Sequence, residues 1–212
     1  MAAKILTVAQ QKGGAGKTTL AAQLAAAWTQ EGRRVAILDI DPQASLAGWF
    51  EAREEHATEP DPLTLNKVGG WRISQSLDDM RKDFDIIVID SPPHAETEAR
   101  IAVRAAHLVL VPIQPSPMDL WATQETVDLA KKEKRRLLVV LNRVPPRGRA
   151  ADVIRAQLAA RKLPTAAATI GNRIAFVASM LEGKGVVETE SRSQAAEEIR
   201  ALAGEVAEKL GI

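Results

Sequence analysis

The chain contains no cysteine and no tyrosine. Without cysteine there are no disulfides, cysteine-based zinc sites or iron–sulfur clusters, and the composition suits a reducing cytoplasm. Histidine is scarce, and His56, His94 and His107 stand far apart with no metal-binding spacing, so packing or surface roles are expected of them. Neither sign of charge dominates: 28 Lys and Arg against 27 Asp and Glu leave a formal net charge of +1. Any signal for nucleic acid or membrane must therefore be local. No apolar run approaches the roughly 20 residues that span a bilayer. The opening segment MAAKILTVAQ is too short in its apolar part for a secretory signal. A cytoplasmic enzyme or switch is the default that survives.

What the chain does have is a set of short aliphatic runs: Lys4–Ala9, Arg34–Ile40, Phe84–Asp90, His107–Ile113 and Arg136–Asn142. Unbroken apolar runs of this length suit strands covered on both faces. Helix candidates such as Lys17–Gln30 and Thr123–Lys134 lie between them. The alternation predicts a doubly wound α/β fold, a mostly parallel sheet with right-handed crossovers flanked by helices. Residues 1–212 are expected to form a single domain, with Glu54–Asn66 as a surface excursion. Trp28, Trp49 and Trp71 are expected to pack against the sheet. In such sheets ligands sit at the carboxyl ends of strands. The distinctive polar segments QQKGGAGKTT, DIDPQ, DSPP, QPSPMD and NRVPPRGR each follow an aliphatic run, so they should meet on one edge.

The first of these is a phosphate loop. Gly13, Gly14 and Gly16 permit a backbone that gathers N–H groups around an anion, and a helix starting near Lys17 adds its positive dipole end. Lys17 should reach the β- and γ-phosphates and the Thr18 hydroxyl should bind Mg²⁺. The loop departs from the usual G-x-x-x-x-G-K-[ST] pattern: Gln11 stands where its first glycine belongs, and a second lysine, Lys12, stands beside it. The plain alternative for Lys12 is a solvated surface cation.

The arrangement KGGAGKTT resembles the deviant Walker A motif of the ParA/MinD ATPase superfamily, closest to its short ParF-like members. The resemblance implies ATP and Mg²⁺ as cofactors and a nucleotide-sandwich homodimer in which Lys12 reaches the other subunit's active site. It extends the nucleotide contacts to Ala15 and Thr19. LDIDPQ is similar to the family's A′ motif, which makes Asp41 the residue that orients the attacking water and leaves Asp39 a structural carboxylate. IIVIDSPP resembles Walker B, with Asp90 holding the metal's water shell. LNRVPPR looks like the adenine-side segment, giving Asn142 and Arg143 to the base. VPIQPSPMDLWA resembles a segment lining the nucleotide and the dimer face; Trp121 within it would touch the second subunit or pack in the core. The short type of the family is expected here, without a helix-turn-helix extension before the loop.

The resemblance also implies partners: non-specific DNA, a ParB-like or ParG-like adaptor that accelerates hydrolysis, and a nucleoid-associated cytoplasmic location. Arg147 and Arg149, on a Pro/Gly-containing loop, are the first DNA candidates, joined by Arg173, Lys184 and Arg192. The run KKEKRR, residues 131–136, either neutralises phosphates or solvates a helix end. A MinD-like membrane cycle would want a basic amphipathic carboxyl-terminal helix. Here acids outnumber bases on it, and Ile199, Leu202, Val206 and Leu210 read as a core stripe. Cluster-bearing and tyrosine-phosphorylating branches need residues this chain lacks. A metabolic P-loop enzyme similar to dethiobiotin synthetase stays open.

Overall fold

The computed structural model describes residues 2–57, 61–69, 72–93 and 96–212; Trp71 and His94 lie outside the described residues. The five aliphatic runs become β1 (Lys4–Val8), β2 (Val35–Asp39), β4 (Ile86–Asp90), β5 (Leu108–Ile113) and β6 (Arg136–Val144). Every residue of β2, β4 and β5 is buried, as strands covered on both faces require. Two further strands complete a seven-stranded sheet of order β3-β2-β4-β1-β5-β6-β7, with β3 at Thr64–Lys67 and β7 at Thr165–Gly171. All pairings are parallel. Both additions are edge strands. The segment expected as a surface excursion thus ends in β3, an edge strand whose sequence TLNK is polar at three of its four positions.

Helices α1 (Lys17–Gln30), α2 (Ser45–Glu55), α7 (Ile174–Leu181), α8 (Val186–Thr189) and α9 (Gln194–Leu210) share one core cluster, while α3 (Ile73–Met80), α4 (Glu96–Ala105), α5 (Pro117–Lys132) and α6 (Ala150–Ala160) supply two others. Alternation within strands divides the layers: Leu108 and Leu110 belong to the α1/α9 cluster, Val109 and Val111 to the α5/α6 cluster. Helix α1 is buried nearly all round, because α8 and α9 cover the side that the sheet does not. Trp28 Nε1 donates to Ala203 O at 3.3 Å across that contact. The stripe Ile199, Leu202, Val206 and Leu210 is buried, so truncating Leu202 to alanine would cost about 2–5 kcal/mol. No described helix is long and apolar enough to cross a membrane.

Helix α5 starts earlier than its expected Thr123. Ser116 caps it by accepting from Asp119 N, and Pro117 occupies the first turn, where its missing N–H is no loss. Helix α1 is the opposite case: its cap is Gly16, which offers no side-chain acceptor. Its first-turn N–H groups are left for something else.

Candidate active site

The loop between β1 and α1 is shaped by two left-handed glycines, Gly14 at φ 76° and Gly16 at φ 87°. Gly16 is also closely packed, since a Cβ there would sit 2.5 Å from Asn142 Nδ2 and would push that amide aside. That amide donates to Ala15 O at 2.8 Å, and Gln114 Nε2 donates to Gly14 O at 3.1 Å. Both contacts grip the loop by its carbonyls and leave its N–H groups free for an anion. Arg143 follows Asn142 at φ 53°, its N–H donating to Asn142 Oδ1 at 3.0 Å.

Charge is concentrated under this loop. Lys17 is 7% exposed; burial pushes its ammonium below the ordinary range, against the pull of Asp90 and Asp41. Thr18 Oγ1 donates to Asp90 Oδ2 at 2.6 Å, and Asp90 Oδ1 is buried without a partner. Burial raises the Asp90 carboxyl to about 7, with Asp39 and Asp41 adding repulsion and Thr18 and Lys17 opposing it. Asp39 accepts from Asp41 N at 3.0 Å and Ala47 N at 2.9 Å, so it fixes the turn into α2 and is not available to a ligand. Asp41 accepts from Gln43 N at 3.0 Å and lines the cleft.

No cluster of three or more metal-binding side chains occurs among the described residues. A hydroxyl paired with a carboxylate that has an unsatisfied oxygen nevertheless fits magnesium, which is held by one or two protein oxygens and completes its shell with phosphate and water. Thr18 and Asp90 are the residues that would hold it.

Lys12 lies apart from its loop. Its Nζ reaches Asp119 Oδ2 at 2.6 Å, with side chains 36% and 3% exposed respectively. Ser116 Oγ donates to the same oxygen, and Asp119 Oδ1 is buried with no partner. Neither Lys12 nor Asp119 lines the cleft that Lys17, Thr18 and Asp41 share. Gln10 ties the root of the loop to the same helix, its Nε2 donating to Thr123 Oγ1 at 3.0 Å.

The cleft encloses about 990 Å³ and runs from Gly13, Gly14, Gly16, Lys17, Thr18 and Thr19 past Asn142 and Arg143 to α7. Residues that the sequence reading did not assign to the site form its far wall, notably Trp49, expected there only to pack against the sheet, with Phe176 and Val177. Ser116 and Asp119 were also missed as partners of Lys12, although S-x-x-D before an apolar run is a capping signal.

Trp28 and Trp49 are buried, but Trp121 is 62% exposed and does not pack in the core. Arg147, Arg149 and Arg192 are exposed. Arg173 differs from them: Glu198 holds it, Nε to Oε2 at 3.0 Å, and it lines the cleft. Lys184 pairs with Glu182 at 3.3 Å. The five DNA candidates therefore form no common set of unpaired cations.

A parallel sheet whose first strand runs through a glycine loop into an uncapped helix, with a buried lysine, a threonine and a strand-end aspartate converging there, defines a P-loop nucleotide-binding protein. Residues 6–187 match the family described as CobQ/CobB/MinD/ParA nucleotide binding domain, and the chain belongs to that family. It is 34% identical over 213 residues to maintenance of carboxysome distribution protein A of Gloeobacter kilaueensis, spanning 98% of this chain and 94% of the relative. The protein of the same name from Halothiobacillus neapolitanus is 28% identical over 208 residues, 95% of each. Among solved structures, an aspartate-to-alanine variant of Cyanothece McdA in complex with ATP superposes with a TM-score of 0.77 at 20% identity, covering 99% of this chain and 97% of that one; that likeness concerns the fold.

Proposed function

We propose that this chain is an ATP-driven switch that positions a cargo. The chain is an ATPase with ATP and Mg²⁺ as its cofactors. Two copies close face to face over ATP, the dimer binds nucleoid DNA without sequence preference, and a ParB-like or ParG-like adaptor accelerates hydrolysis and release. Lys17 and the loop N–H groups bind the phosphates. Thr18 and Asp90 would hold the magnesium, whose charge would offset that of the phosphates. Asp41 orients the attacking water, since phosphoryl transfer depends mainly on positioning and electrostatics. Asn142 and Arg143 flank the base. The relatives that match nearly the whole chain are named for carboxysome distribution, which supports a protein assembly as the cargo class.

The observation that carries the dimer is the position of Lys12. A lysine built into a phosphate loop yet held by α5 outside its own cleft can reach a triphosphate on a second copy once it leaves Asp119, and an excluded-water interface strengthens that attraction. Light scattering after size exclusion tests this. Wild type is expected to dimerise with ATP and Mg²⁺, and Lys12→Ala to stay monomeric while still binding nucleotide. Normal dimerisation of Lys12→Ala would remove the cross-subunit role. Stimulation of turnover by a small carboxylate or amine, with none by DNA, would instead favour a metabolic enzyme.

A further inference from the structure

The strand order decides which way a nucleotide lies in the cleft. Asp90 ends β4 and Asp41 follows β2, and both strands stand on one side of β1. With magnesium and the terminal phosphate on that side, the nucleoside end is left the other side of the loop, where β6 and β7 finish. β7 is three strands from β1 in the order β1-β5-β6-β7, about 14 Å at ordinary strand spacing. A group at its carboxyl end therefore meets the far end of the nucleotide and not its phosphates.

Arg173 is that group. It follows the end of β7, takes the N-cap position of α7 in an extended conformation, and lines the cleft. Glu198 of α9 holds it by one edge, accepting from Nε at 3.0 Å and also from Nη2. The same carboxylate accepts from Gly171 N at 2.9 Å, so strand, arginine and α9 share one anchor. One face of the guanidinium is covered as well: a Cβ on Gly171 would come within 2.9 Å of Nε and 3.1 Å of Cζ. Nη1 has no partner among the described residues, and 31% of the side chain stays exposed. The cleft thus receives the open face of a flat cation whose orientation is already set.

Plainer roles do not account for all of these contacts. A tie between α9 and β7 needs only Glu198 and Gly171 N. A partly exposed ion pair contributes little and gives no reason to press the guanidinium onto bare backbone. Arg143, the other arginine at this end, has no side-chain partner among the described residues and bonds only through its N–H. It can follow a ligand but does not preform a surface for one.

We propose that Arg173 is the platform on which the purine of the nucleotide stacks, with Glu198 as its positioning residue. A planar guanidinium packs well on an aromatic ring. The side chain is ordered when the chain folds, so binding does not have to order it. This rests on the reading above that puts the base beside Asn142 and Arg143.

Isothermal titration calorimetry in Mg²⁺, with ATP and separately with inorganic tripolyphosphate, tests this. Arg173→Ala and Arg173→Lys are each expected to weaken ATP about tenfold and to leave tripolyphosphate unchanged, since lysine keeps the charge but not the plane. Glu198→Gln still accepts from Gly171 N and is expected to weaken ATP about threefold, the effect of one loosened side chain, again with tripolyphosphate unchanged. Wild-type ATP affinity in Arg173→Lys would reduce the role to charge and overturn the stacking. Equal losses for ATP and tripolyphosphate in Arg173→Ala would mean that the arginine supports the fold or the phosphates instead. Glycine suits the φ of 53° at Arg143, so Arg143→Gly is the control. If it loses ATP affinity relative to tripolyphosphate and Arg173→Ala does not, this platform is wrong and the base reading stands. If neither variant does, the base lies elsewhere and both fail.

Discussion

The two edges of the sheet are built from the same strands and treat their polar groups in opposite ways. At the carboxyl edge, Asp90 Oδ1 and Asp119 Oδ1 are buried without partners, and α1 has no side-chain cap. At the amino edge the groups close on one another: His107 Nδ1 accepts from Ile5 N at 2.9 Å, Arg34 pairs with Asp85 at 2.7 Å, and Glu133 is shared by two arginines. Arg81 Nε is unsatisfied there, but its guanidinium still reaches Asp78 at 3.5 Å. An unmet buried polar group costs about 1–3 kcal/mol. The fold tolerates that cost where a bound phosphate and metal can return it. Substitutions at the carboxyl edge should therefore change ligand chemistry and leave stability nearly alone, and those of the paired groups at the amino edge the reverse.

The strongest way to break this contrast is Asp41→Ala. Asp41 lines the cleft and makes one local backbone contact, so its loss should not unfold anything. Turnover is expected to fall by about 100-fold or more, with ATP binding retained and the dimer persisting. Phosphate release under single-turnover conditions, beside the thermal midpoint, reads both halves of the claim. A fall in midpoint comparable to that of a core truncation would show that the carboxyl edge is structural after all.

Asp119 separates two meanings of an unsatisfied carboxylate. Its pair with Lys12 lies within one chain and competes with any role for Lys12 on a second copy, so only molecules that have released the lysine can dimerise. Asp119→Asn keeps the shape and the hydrogen-bonding oxygen but removes the charge. It is expected to lower the ATP concentration for half-dimerisation by about tenfold, equivalent to the about 1.4 kcal/mol of one charged hydrogen bond. If Asp119→Asn dimerises as poorly as Lys12→Ala, the carboxylate supports the lysine and does not restrain it.

The sequence was legible where one local property decides the outcome. Aliphatic runs such as IIVID, short and rich in β-branched residues, read as buried strands, and KGGAGKTT follows one of them closely. It was illegible where the decision is made at long range. β7 reads as TAAATIG, small and alternating in burial, and becomes a strand because β6 offers it an edge. The partner of Lys12 lies 107 positions away and emerges only when α5 is set beside the loop. Arg173 looked like Arg147 in sequence and is unlike it in place, because Glu198 holds it. Trp49 and Phe176 wall the cleft, yet their residue types say core as readily as site. The two-edge contrast itself follows from topology: parallel strands send every strand-to-helix turn to one side.

The smallest expected effect tests whether the amino edge closes on itself. Burial, then repulsion from Lys4, Arg81 and Arg135, holds the His107 imidazole below its ordinary value of 6.5. Only the neutral ring can accept from Ile5 N. The unfolded chain takes up this proton near the ordinary value and the folded chain only at lower pH. Between the two the unfolded state binds more protons, so stability is intact above the window and falls as pH drops through it. His107→Asn retains an acceptor and cannot titrate, so its thermal midpoint should lose about 1 °C less than wild type between neutral and mildly acidic pH. The difference stays small because the ring keeps an exposed edge and water screens its charge. ATP affinity, measured on the same samples, should not distinguish the two proteins, because His107 lies at the far end of the strands from the phosphate loop. Superimposable pH profiles would mean that the Ile5 bond contributes nothing, and that the amino edge is solvated rather than closed.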